Sequence, residues 1–323
     1  SPNLDAFARL RVSELNSLID LKQVDNNASL FYDTETNGTG STTYNVNDSS
    51  STLEVTTTSD FAIRQTFQKF NYQTGKSQLA IFTFSGMQVQ TNVIKRIGSF
   101  QTNAVTPFDS DRDGIYLESD GTDLAVCVAN LGTVNKITQS NWNVDVFNGT
   151  GASGITLDFS KSQIFFIDYE WLGTGRVRCG FFIDGIPYYC HYFNHANNLL
   201  SNGVYMKSPN QPVRYEIRST GGAGSLEQIC STVASEGSIN TLGFERGLRD
   251  AINFQANTTS ANYAVYALRL QSTQLNAKID VISFSLSART NDDFIWSLVL
   301  NPTMSNAVTF ADLSNSAVQS AVG

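Results

Sequence analysis

An Asp-Gly dipeptide between two β-prone runs is the feature that most constrains how this chain can fold. Asp184 and Gly185 separate RVRCGFFI from IPYYCHYF, two runs in which aromatic and β-branched residues alternate. A tight type I′ turn needs positive φ at both central residues, and Asp-Gly is among the pairs that adopt it readily. The sequence therefore predicts a β-hairpin in which Ile183 lies opposite Ile186.

The same turn sets the register of the hairpin. Counting outward from it, Cys179 faces Cys190 at a hydrogen-bonded pair, where Cα atoms lie roughly 5.5 Å apart. That distance permits a disulfide without requiring one, and free Cys packs readily as a small apolar residue. We favour two reduced, buried thiols, because four cysteines in 323 residues are too few for a disulfide scaffold.

Pro187 adds a prediction about the edge of the sheet. It lies opposite Phe182 at a pair that exchanges no hydrogen bonds, so its missing N–H is directed to the other side of the strand. The sequence predicts that residues 186–193 form an edge strand on that side, or a strand that is bulged there.

Short β-prone runs recur along the chain from Phe61, separated by clusters of Gly, Asn and Asp. No amphipathic helix of about ten residues or more stands out. The pattern predicts an all-β fold, an antiparallel β-sandwich of the jelly-roll or concanavalin-like kind. The runs are FAIRQTFQKF, QLAIFTFSG, VIKRIGSFQT, GIYLESDGTDLAVCVAN, ASGITLDF, QIFFIDYEWLG, VRYEIRST and SLEQICSTVAS.

The sequence divides into three regions. Residues 1–55 are expected to form an N-terminal arm followed by a low-complexity loop, and residues 56–240 the β-sandwich. Residues 241–323 contain three further β-prone runs and are expected to form a second, smaller β domain or an extension. For the N-terminal part, a strand and turn packed on the main domain and an extended arm on a neighbouring subunit are both open.

Composition narrows the function classes. Charged residues make up only 15% of the chain, against about 25% in an average protein, and Ser, Thr, Asn and Gln replace them. The net charge is −8, and no basic patch is visible, which argues against nucleic-acid binding. No run of ~18 apolar residues is present, so no membrane insertion is expected.

One acidic loop has the spacing of a calcium site. Asp109, Asp111 and Asp113 alternate, Gly114 follows, and Asp120 stands at the twelfth position. Asp reaches less far than the usual Glu at that last position, and the flanks are β-prone rather than helical. We therefore favour an acidic loop between strands, with no metal or cofactor.

Three other groups of residues were weighed for chemistry. His191 and His195 lack a third metal ligand at a recognisable spacing, so hydrogen bonding to backbone or Tyr is favoured. Asp168 and Glu170 share one face of a strand, as paired glycosidase carboxylates would, but Arg176 and Arg178 stand ready to neutralise them. For Trp171, stacking on a sugar and packing in the core are both open, and packing is favoured. No catalytic residue is assigned.

Several segments together resemble a known family. They are LDAFARLRVSE near the start, RQTFQKFNYQTGKSQLAIFTF in the middle, and EWLGTGRVRCGFFIDG, CHYFNHAN, SPNQPVRYEIR and LEQICSTVASEG further on. The pattern over roughly residues 1–240 is similar to virion structural proteins of tailed bacteriophages, many of them marine. Where that family usually has Gly in its opening motif, this chain has Ala8. The resemblance implies a place in a virion, in head, neck or tail, and carries no functional residue.

These observations lead to one expected function and one alternative. The expected function is a non-enzymatic virion structural protein that assembles with copies of itself and with capsid, neck or tail proteins. The alternative is a carbohydrate-binding β-sandwich on the particle surface, an adhesin that recognises host glycans. A glycan-degrading enzyme on the same fold is the least favoured, because no catalytic constellation accompanies Asp168 and Glu170.

Overall fold

The computed structural model describes most of the chain up to residue 237 and parts of the remainder. The described residues are 4–10, 14–102, 112–199, 203–237, 263–273, 279–285, 295–300, 302–304, 308–313 and 316–322. The contacts between residues in space divide the chain into two compact units, Ser1–Thr241 and Leu242–Gly323.

Strands account for nearly all of the regular structure in these residues. In the first unit they are β1 (Leu15–Leu21), β2 (Tyr32–Asn37), β3 (Ser41–Asn45), β4 (Ser50–Val55), β5 (Phe61–Thr66), β6 (Gln78–Ser85), β7 (Val93–Gln101), β8 (Asp113–Ser119), β9 (Leu124–Asn130), β10 (Thr133–Thr138), β11 (Gln163–Tyr169), β12 (Arg176–Ile183), β13 (Ile186–Asn194), β14 (Val213–Ser219) and β15 (Gly224–Glu236). A short 3-10 helix spans Gln139–Asn141.

Two antiparallel sheets make the sandwich, which confirms the predicted all-β, jelly-roll class. The first sheet has eight strands in the order β13-β12-β11-β6-β15-β4-β3, with β1 pairing separately with β15. The second sheet has seven strands in the order β10-β9-β8-β7-β14-β5-β2. Consecutive hairpins place β8, β9 and β10 side by side, and a turn that begins at Asp120-Gly121 joins β8 to β9.

The inner faces of the two sheets meet in one apolar core. Along β6, residues alternate strictly between buried and half-buried, as expected for a strand with one face on the core. Phe82 of β6 contacts Phe165 of the same sheet and Tyr215 of the other, with ring centroids 6.2 Å away in both cases. These contacts tie the two sheets together through aromatic packing.

One lateral side of the sandwich, formed by β13 and β10, is closed by the loop that follows β10. The backbone N–H groups of Val144 and Asp145 donate to the carbonyl of Cys190 in β13, at 3.1 and 3.2 Å. The Nε1 of Trp142 donates to the carbonyl of Ile137 in β10 at 3.1 Å. The loop also packs three rings against Phe181 of β12, from Trp142, Phe147 and Phe159.

The central hairpin follows the predicted register only near its turn. Asp184 and Gly185 both have positive φ, at +51° and +76°. Ile183 pairs with Ile186 and Phe181 with Tyr188, and β13 is an edge strand, all as predicted. The predicted pairing of Cys179 with Cys190 is wrong.

A bulge in β13 is the reason. The register shifts by one residue between Gly180 and Cys179, so Cys179 pairs with His191 and Cys190 is the extra residue. The carbonyl of Cys190 accepts the two N–H groups of the closing loop described above, a long-range contact that the local sequence does not encode. Both cysteines are free thiols with buried side chains, and burial raises the pKa of each above its usual value.

The N-terminal residues form a strand and a turn packed on the main domain, one of the two arrangements left open by the sequence, in place of the extended arm and the low-complexity loop. The strands β1 to β4 all lie within residues 14–55, and β1 pairs with β15 of the same chain from Leu15↔Glu236 to Leu21↔Ser231. Ahead of β1, residues 4–10 form a turn held on the sandwich. Arg178 donates through Nη2 to the carbonyl of Leu4 at 2.8 Å, and Arg176 donates to that of Ala6 at 2.7 Å.

The turn is closed internally by an ion pair. Asp5 is 1% exposed, and its carboxylate accepts from the backbone N–H of Arg9 at 2.8 Å and from the Nε of Arg9 at 2.6 Å. Despite the opposing effect of burial, these contacts with Arg9 lower the pKa of Asp5. Ala8 lies at the tip with a φ of +63°, so the tight turn forms although Gly is replaced by Ala there.

The second unit has less regular structure in its described residues. The strands β16 (Tyr266–Leu270), β17 (Ala311–Asp312) and β18 (Val318–Val322) form a small sheet in the order β16-β18-β17. The β-prone runs expected near 279–285 and 295–300 are not strands in the described part. Among all described residues, no helix has the length and apolarity needed to cross a membrane.

The left-handed Ala8 yields a prediction about stability. An L-residue in this region costs roughly 1–2 kcal/mol that Gly avoids, whereas the extra freedom of Gly in the unfolded chain costs about 0.4–1 kcal/mol. We expect Ala8→Gly to raise the free energy of unfolding by ~0.5–1 kcal/mol, measured by urea denaturation. Ala6→Gly is the control, because Ala6 is buried and not left-handed, and it should lower stability. A loss of stability in Ala8→Gly would contradict this account of the turn.

Candidate functional site

A polar groove lies at one end of the sandwich, where three connections between strands meet. It has a volume of about 230 Å³. We call it the end groove and define it by its lining residues Val89, Thr122, Asp123, Leu124, Gln139, Ser140 and Asn148. Val89 belongs to the β6–β7 connection, Thr122 and Asp123 to the β8–β9 turn, and the last three to the loop after β10.

The β8–β9 turn is shaped by Asp120. Its Oδ1 accepts the backbone N–H groups of Thr122 and Asp123 at 2.8 and 2.7 Å, and its own N–H donates to the carbonyl of Asp123 at 3.1 Å. Lys136 of β10 donates to the other carboxylate oxygen at 2.5 Å. These bonds fix the backbone of the turn, on which Thr122 and Asp123 are both exposed.

The β6–β7 connection is held in place by a buried lysine on the core side. Lys95 lies on the inner face of β7 and is 0% exposed, and its Nζ donates to the carbonyl of Gly86 at 2.5 Å. Burial lowers the pKa of Lys95 to about 8, since a low-dielectric site disfavours the charged form. Gln90 adds a bond from its Nε2 to the carbonyl of Ala223 at 2.7 Å, so Val89 is held between two anchored positions.

The loop after β10 contributes amides whose bonding capacity is only partly used. Gln139 donates through Nε2 to the carbonyl of Val146 at 2.8 Å. Asn148 accepts at Oδ1 from the N–H and the Oγ1 of Thr150, at 2.9 and 2.6 Å. In each case the other end of the side-chain amide has no hydrogen bond to the described residues.

The end groove therefore offers both donors and acceptors to a ligand. Within the described chain, the Asp123 carboxylate and the Thr122 hydroxyl have no partner, Gln139 keeps an acceptor oxygen, and Asn148 keeps a donor amide. Val89, which is 43% exposed, supplies an apolar surface beside them. Such a site suits a small polar molecule with several hydroxyl groups and one apolar face.

A larger groove on the outer face of the first sheet is less suited to a polar ligand. It has a volume of about 360 Å³ and lies between the end of β1 and the irregular part of β15. Its polar groups are already engaged: Asp20 pairs with Lys22 at 2.9 Å, Thr232 donates to the Ile19 carbonyl, and the Cys230 thiol contacts Thr83. We therefore take the end groove as the candidate site.

The acidic loop with calcium-like spacing serves other purposes where the structure describes it. Both carboxylate oxygens of Asp113 accept backbone N–H groups, from Lys207 at 2.9 Å and from Ser208 at 2.8 Å. Asp120 shapes the β8–β9 turn. Asp109 and Asp111 lie outside the described residues, and the described ones contain no cluster of three His, Cys, Asp or Glu side chains suited to a metal.

The two histidines are packed into the sandwich separately. Phe193 lies between them, with ring centroids 4.5 Å from His191 and 6.3 Å from His195. His191 accepts at Nδ1 from the N–H of Asn143 at 3.2 Å, and His195 bonds through Nδ1 to the carbonyl of Gly175 at 2.6 Å. This is the structural role predicted for them, and burial lowers the pKa of both.

The two candidate carboxylates differ: Asp168 lies on β11 and is neutralised, as the sequence indicated, whereas Glu170 follows that strand and forms no ion pair with a described residue. Asp168 forms a buried ion pair with Arg178 and accepts from the Ser77 hydroxyl at 2.7 Å. Glu170 accepts the backbone N–H of Arg176 at 3.0 Å. Trp171 donates through Nε1 to the carbonyl of Met206 at 2.8 Å and packs against the core, so it is not free to stack on a ligand.

A second set of carboxylates, which the sequence analysis missed, lies on the outer face of the second sheet. Glu118 and Glu216 flank Arg96 on three adjacent strands, with N–O distances of 2.5 and 2.8 Å. Arg214 adds a further bond to Glu216 at 2.6 Å. The positive neighbours outweigh desolvation and lower the pKa of both Glu side chains, so neither holds a proton near neutral pH.

The residues of the end groove were also missed by sequence reasoning. They come from three separate connections, and their types are those of ordinary turns. The one available signal is the dipeptide Asp120-Gly121, a turn-forming pair that puts Thr122 and Asp123 beside a hairpin turn. Nothing in the sequence brings Gln139 or Asn148 to the same place.

Several solved structures are similar to this chain at low sequence identity. No family model matches the sequence, and no curated protein matches it. The carbohydrate recognition domain of Emp47p aligns with a TM-score of 0.43 and 12% identity, over 70% of this chain and 98% of its own. A legume lectin-like domain from Entamoeba histolytica gives 0.39 and 10%, over 68% and 97%. A lectin from Bauhinia forficata in complex with GalNAc gives 0.40 and 10%, over 68% and 98%.

The buried His191 predicts how stability depends on pH. Burial lowers its pKa to about 4, below the value of about 6.5 for His in an unfolded chain. As the pH falls, the unfolded chain therefore binds the proton first, so the stabilising effect of neutral His191 is complete above pH ~6.5 and declines between ~6.5 and ~4. We expect a loss on the order of 1 kcal/mol per pH unit in that range, followed by urea unfolding at several pH values.

A matched variant separates His191 from the other titrating groups. His191→Asn keeps an acceptor near the N–H of Asn143 but cannot take up a proton, so it should reduce the slope of stability against pH below 6.5. His195 is still present in that variant and retains its own contribution. An unchanged slope would show that His191 titrates alike in the folded and unfolded chains.

Proposed function

We propose that this chain is a non-enzymatic carbohydrate-binding β-sandwich and that the end groove holds one sugar unit of a glycan. The observation that carries the proposal is the set of unused donors and acceptors around Val89. Sugar hydroxyls both donate and accept, and a pyranose ring also has an apolar face. The volume of about 230 Å³ is below that of sites for drug-sized ligands, roughly 300–1,000 Å³, and suits one monosaccharide.

The charge of the groove narrows the class of glycan. Asp123 is the one charged side chain among the lining residues, and no Lys or Arg lines the described groove. A carboxylate accepts two hydroxyl hydrogen bonds well, and it repels a ligand carboxylate. The proposed ligand is therefore a neutral sugar rather than a uronic or sialic acid.

The proposed function is non-enzymatic because the described lining of the end groove has only one carboxylate. Hydrolysis of a glycosidic bond ordinarily needs two carboxyl groups on either side of the bond, one of them protonated. The described lining supplies one, Asp123. Elsewhere, Asp168, Glu118 and Glu216 are paired with arginines, and Glu170 does not line the groove.

The proposed location of the protein, the surface of a phage particle, is supported by the sequence resemblance to phage virion proteins. A glycan-binding sandwich on a particle surface would act as an adhesin for host glycans, with copies of itself and other virion proteins as its neighbours. Quantitative mass spectrometry of purified particles tests that part separately: a fixed copy number per particle is expected, and absence from particles would remove the location while leaving the glycan proposal open.

The glycan proposal predicts the effect of one substitution. A hydrogen bond to a charged group contributes about 1.5–3 kcal/mol, so Asp123→Ala should weaken binding of a neutral glycan by about 10- to 100-fold. The ligand would be found on an array of bacterial surface glycans and its affinity measured by calorimetry. Because the Asp123 side chain is exposed and unpaired within the described chain, the free energy of unfolding should change by less than about 0.5 kcal/mol.

A matched change in the other groove is the control. Asp20→Ala removes an exposed carboxylate from the groove on the outer face of the first sheet, and it should leave glycan affinity unchanged. Failure of the assembled protein to bind any neutral glycan would refute the proposal. Equal affinity in the wild type and in Asp123→Ala would show that the glycan binds elsewhere.

A further inference from the structure

The two lateral sides of the sandwich differ in whether their edge strands are covered by other residues. The side formed by β13 and β10 is closed by the loop after β10, and β13 also carries Pro187 and a bulge, two devices that discourage further strand pairing. On the opposite side, β3 ends the first sheet and β2 ends the second. We call this second side, with the residues around it, the open side.

The backbone of the open side is unpaired in the part of the chain that is described. β2 pairs with β5 alone, and β3 pairs with β4 alone. In an antiparallel edge strand, every second residue directs its N–H and C=O away from its neighbour. Residues 33–37 of β2 are all exposed, and the strand contains no Pro, Lys or bulge, so its backbone can pair with another strand whose side chains suit Asp33 and Glu35.

Exposed apolar side chains gather at one end of the open side. Leu30 is 88% exposed, Phe31 50% and Phe67 65%, and the N–H of Phe67 donates to the carbonyl of Phe31 at 3.0 Å. Val24 and Val46 are also exposed, near Tyr44 of β3, whose hydroxyl donates to the carbonyl of Val24 at 3.3 Å. A concentration of large exposed apolar residues marks an interaction surface.

The loop between β1 and β2, which presents Val24, Leu30 and Phe31, is held in place by hydrogen bonds. Arg64 of β5 is 1% exposed and lies 4.7 Å from the ring of Tyr32. Its Nη1 donates to the Oε1 of Gln23 at 2.8 Å, and its Nη2 donates to the carbonyl of Asn27. The Nε2 of Gln23 in turn donates to the carbonyl of Gln228 at 2.9 Å. The apolar residues are thus exposed on an anchored loop.

The charged side chains on β2 and in the adjacent turns at residues 25–31 and 46–49 are all acidic. Asp33 and Glu35 lie on β2, two residues apart and therefore on the same face. Asp25 and Asp48 lie in the adjacent turns, and all four are exposed. None of the four is in an ion pair with a described residue. An incoming strand would therefore meet an uncompensated negative edge.

We propose that the open side binds an extended segment of a partner protein in which basic and apolar side chains alternate. The segment adds a strand to β2. Backbone hydrogen bonds supply affinity that does not depend on the sequence of the segment, and its side chains supply specificity. Its basic side chains lie over Asp33 and Glu35, and one apolar end contacts Leu30, Phe31 and Phe67. This site shares no residue with the end groove and does not depend on glycan binding.

The negative edge is also the reason why a second copy of this chain is not the occupant. Pairing of two β2 strands would bring a second Asp33 and Glu35 beside the first pair, and like charges on neighbouring strands destabilise a sheet. A basic segment gains from the same charges and is drawn to them over a distance of about one Debye length.

The probe is a short, end-blocked peptide in which Lys and Val alternate, with an alternating Glu and Val peptide of equal length as its counterpart. We expect the Lys peptide to bind the full chain at low salt and to lose affinity in about 1 M salt, where the Debye length is about 3 Å. Amide hydrogen exchange should slow in residues 32–37. The Glu peptide should not bind.

Charge reversal provides the decisive variants. Asp33→Lys combined with Glu35→Lys should weaken binding of the Lys peptide at least about tenfold and allow the Glu peptide to bind. Asp20→Lys combined with Asp158→Lys changes the net charge equally at other exposed sites and should have little effect. Equal losses in both double variants, or protection of amides outside β2, would overturn the proposal. Self-association of the wild type that the first double variant abolishes would identify a second copy as the occupant and overturn it too.

Discussion

The two sheets are held together by a layer of interlocking side chains, in which Phe82 of the first sheet meets Phe165 beside it and Tyr215 across the core. This layer requires a period of two in every strand that contributes to it, because a shift by one residue would turn the apolar set outward. The bulge at Cys190 shows what one extra residue does to this alternation in β13. One extra residue in β13 puts Cys190, His191 and Phe193 close to the core while Tyr189 and Tyr192 pair with Gly180 and Arg178.

The hairpin shows how far local sequence determines such a structure and where it stops. The Asp-Gly turn determined the pairs nearest to it, since positive φ at Asp184 and Gly185 leaves few alternatives. After four residue pairs the pairing shifts, because the carbonyl of Cys190 accepts bonds from Val144 and Asp145. Those residues are distant in sequence, so no local rule contains them. Likewise, Asp109, Asp111 and Asp113 have the spacing of a calcium loop. In the structure, the Asp113 carboxylate accepts the backbone N–H groups of Lys207 and Ser208, which are also distant in sequence.

Most of the charged residues inside the first unit are used for structure, and this limits what its sheet faces can do. On the outer face of the second sheet, Glu118, Arg96 and Glu216 form a continuous ionic row. On the first sheet, Asp168 and Arg178 pair with each other while Arg178 also holds the N-terminal turn. Breaking such a buried pair on one side leaves an uncompensated charge and is strongly destabilising. Groups committed in this way are poor candidates for acid–base chemistry, which needs a group free to gain and lose a proton.

The two proposed binding surfaces lie in parts of the sandwich that do not hold it together. The end groove is made by three connections whose backbones are fixed by Asp120, Lys95 and Gln139, while the side chains of Thr122 and Asp123 remain unused within the described chain. The open side follows the same logic, since Arg64 anchors the loop and Leu30, Phe31 and Phe67 remain exposed. In both places a buried cation or carboxylate orders the backbone so that its neighbours meet solvent in a fixed arrangement. Preorganisation of this kind lowers the entropy cost of binding, and it explains why a chain so rich in ordinary turn residues can present two distinct surfaces.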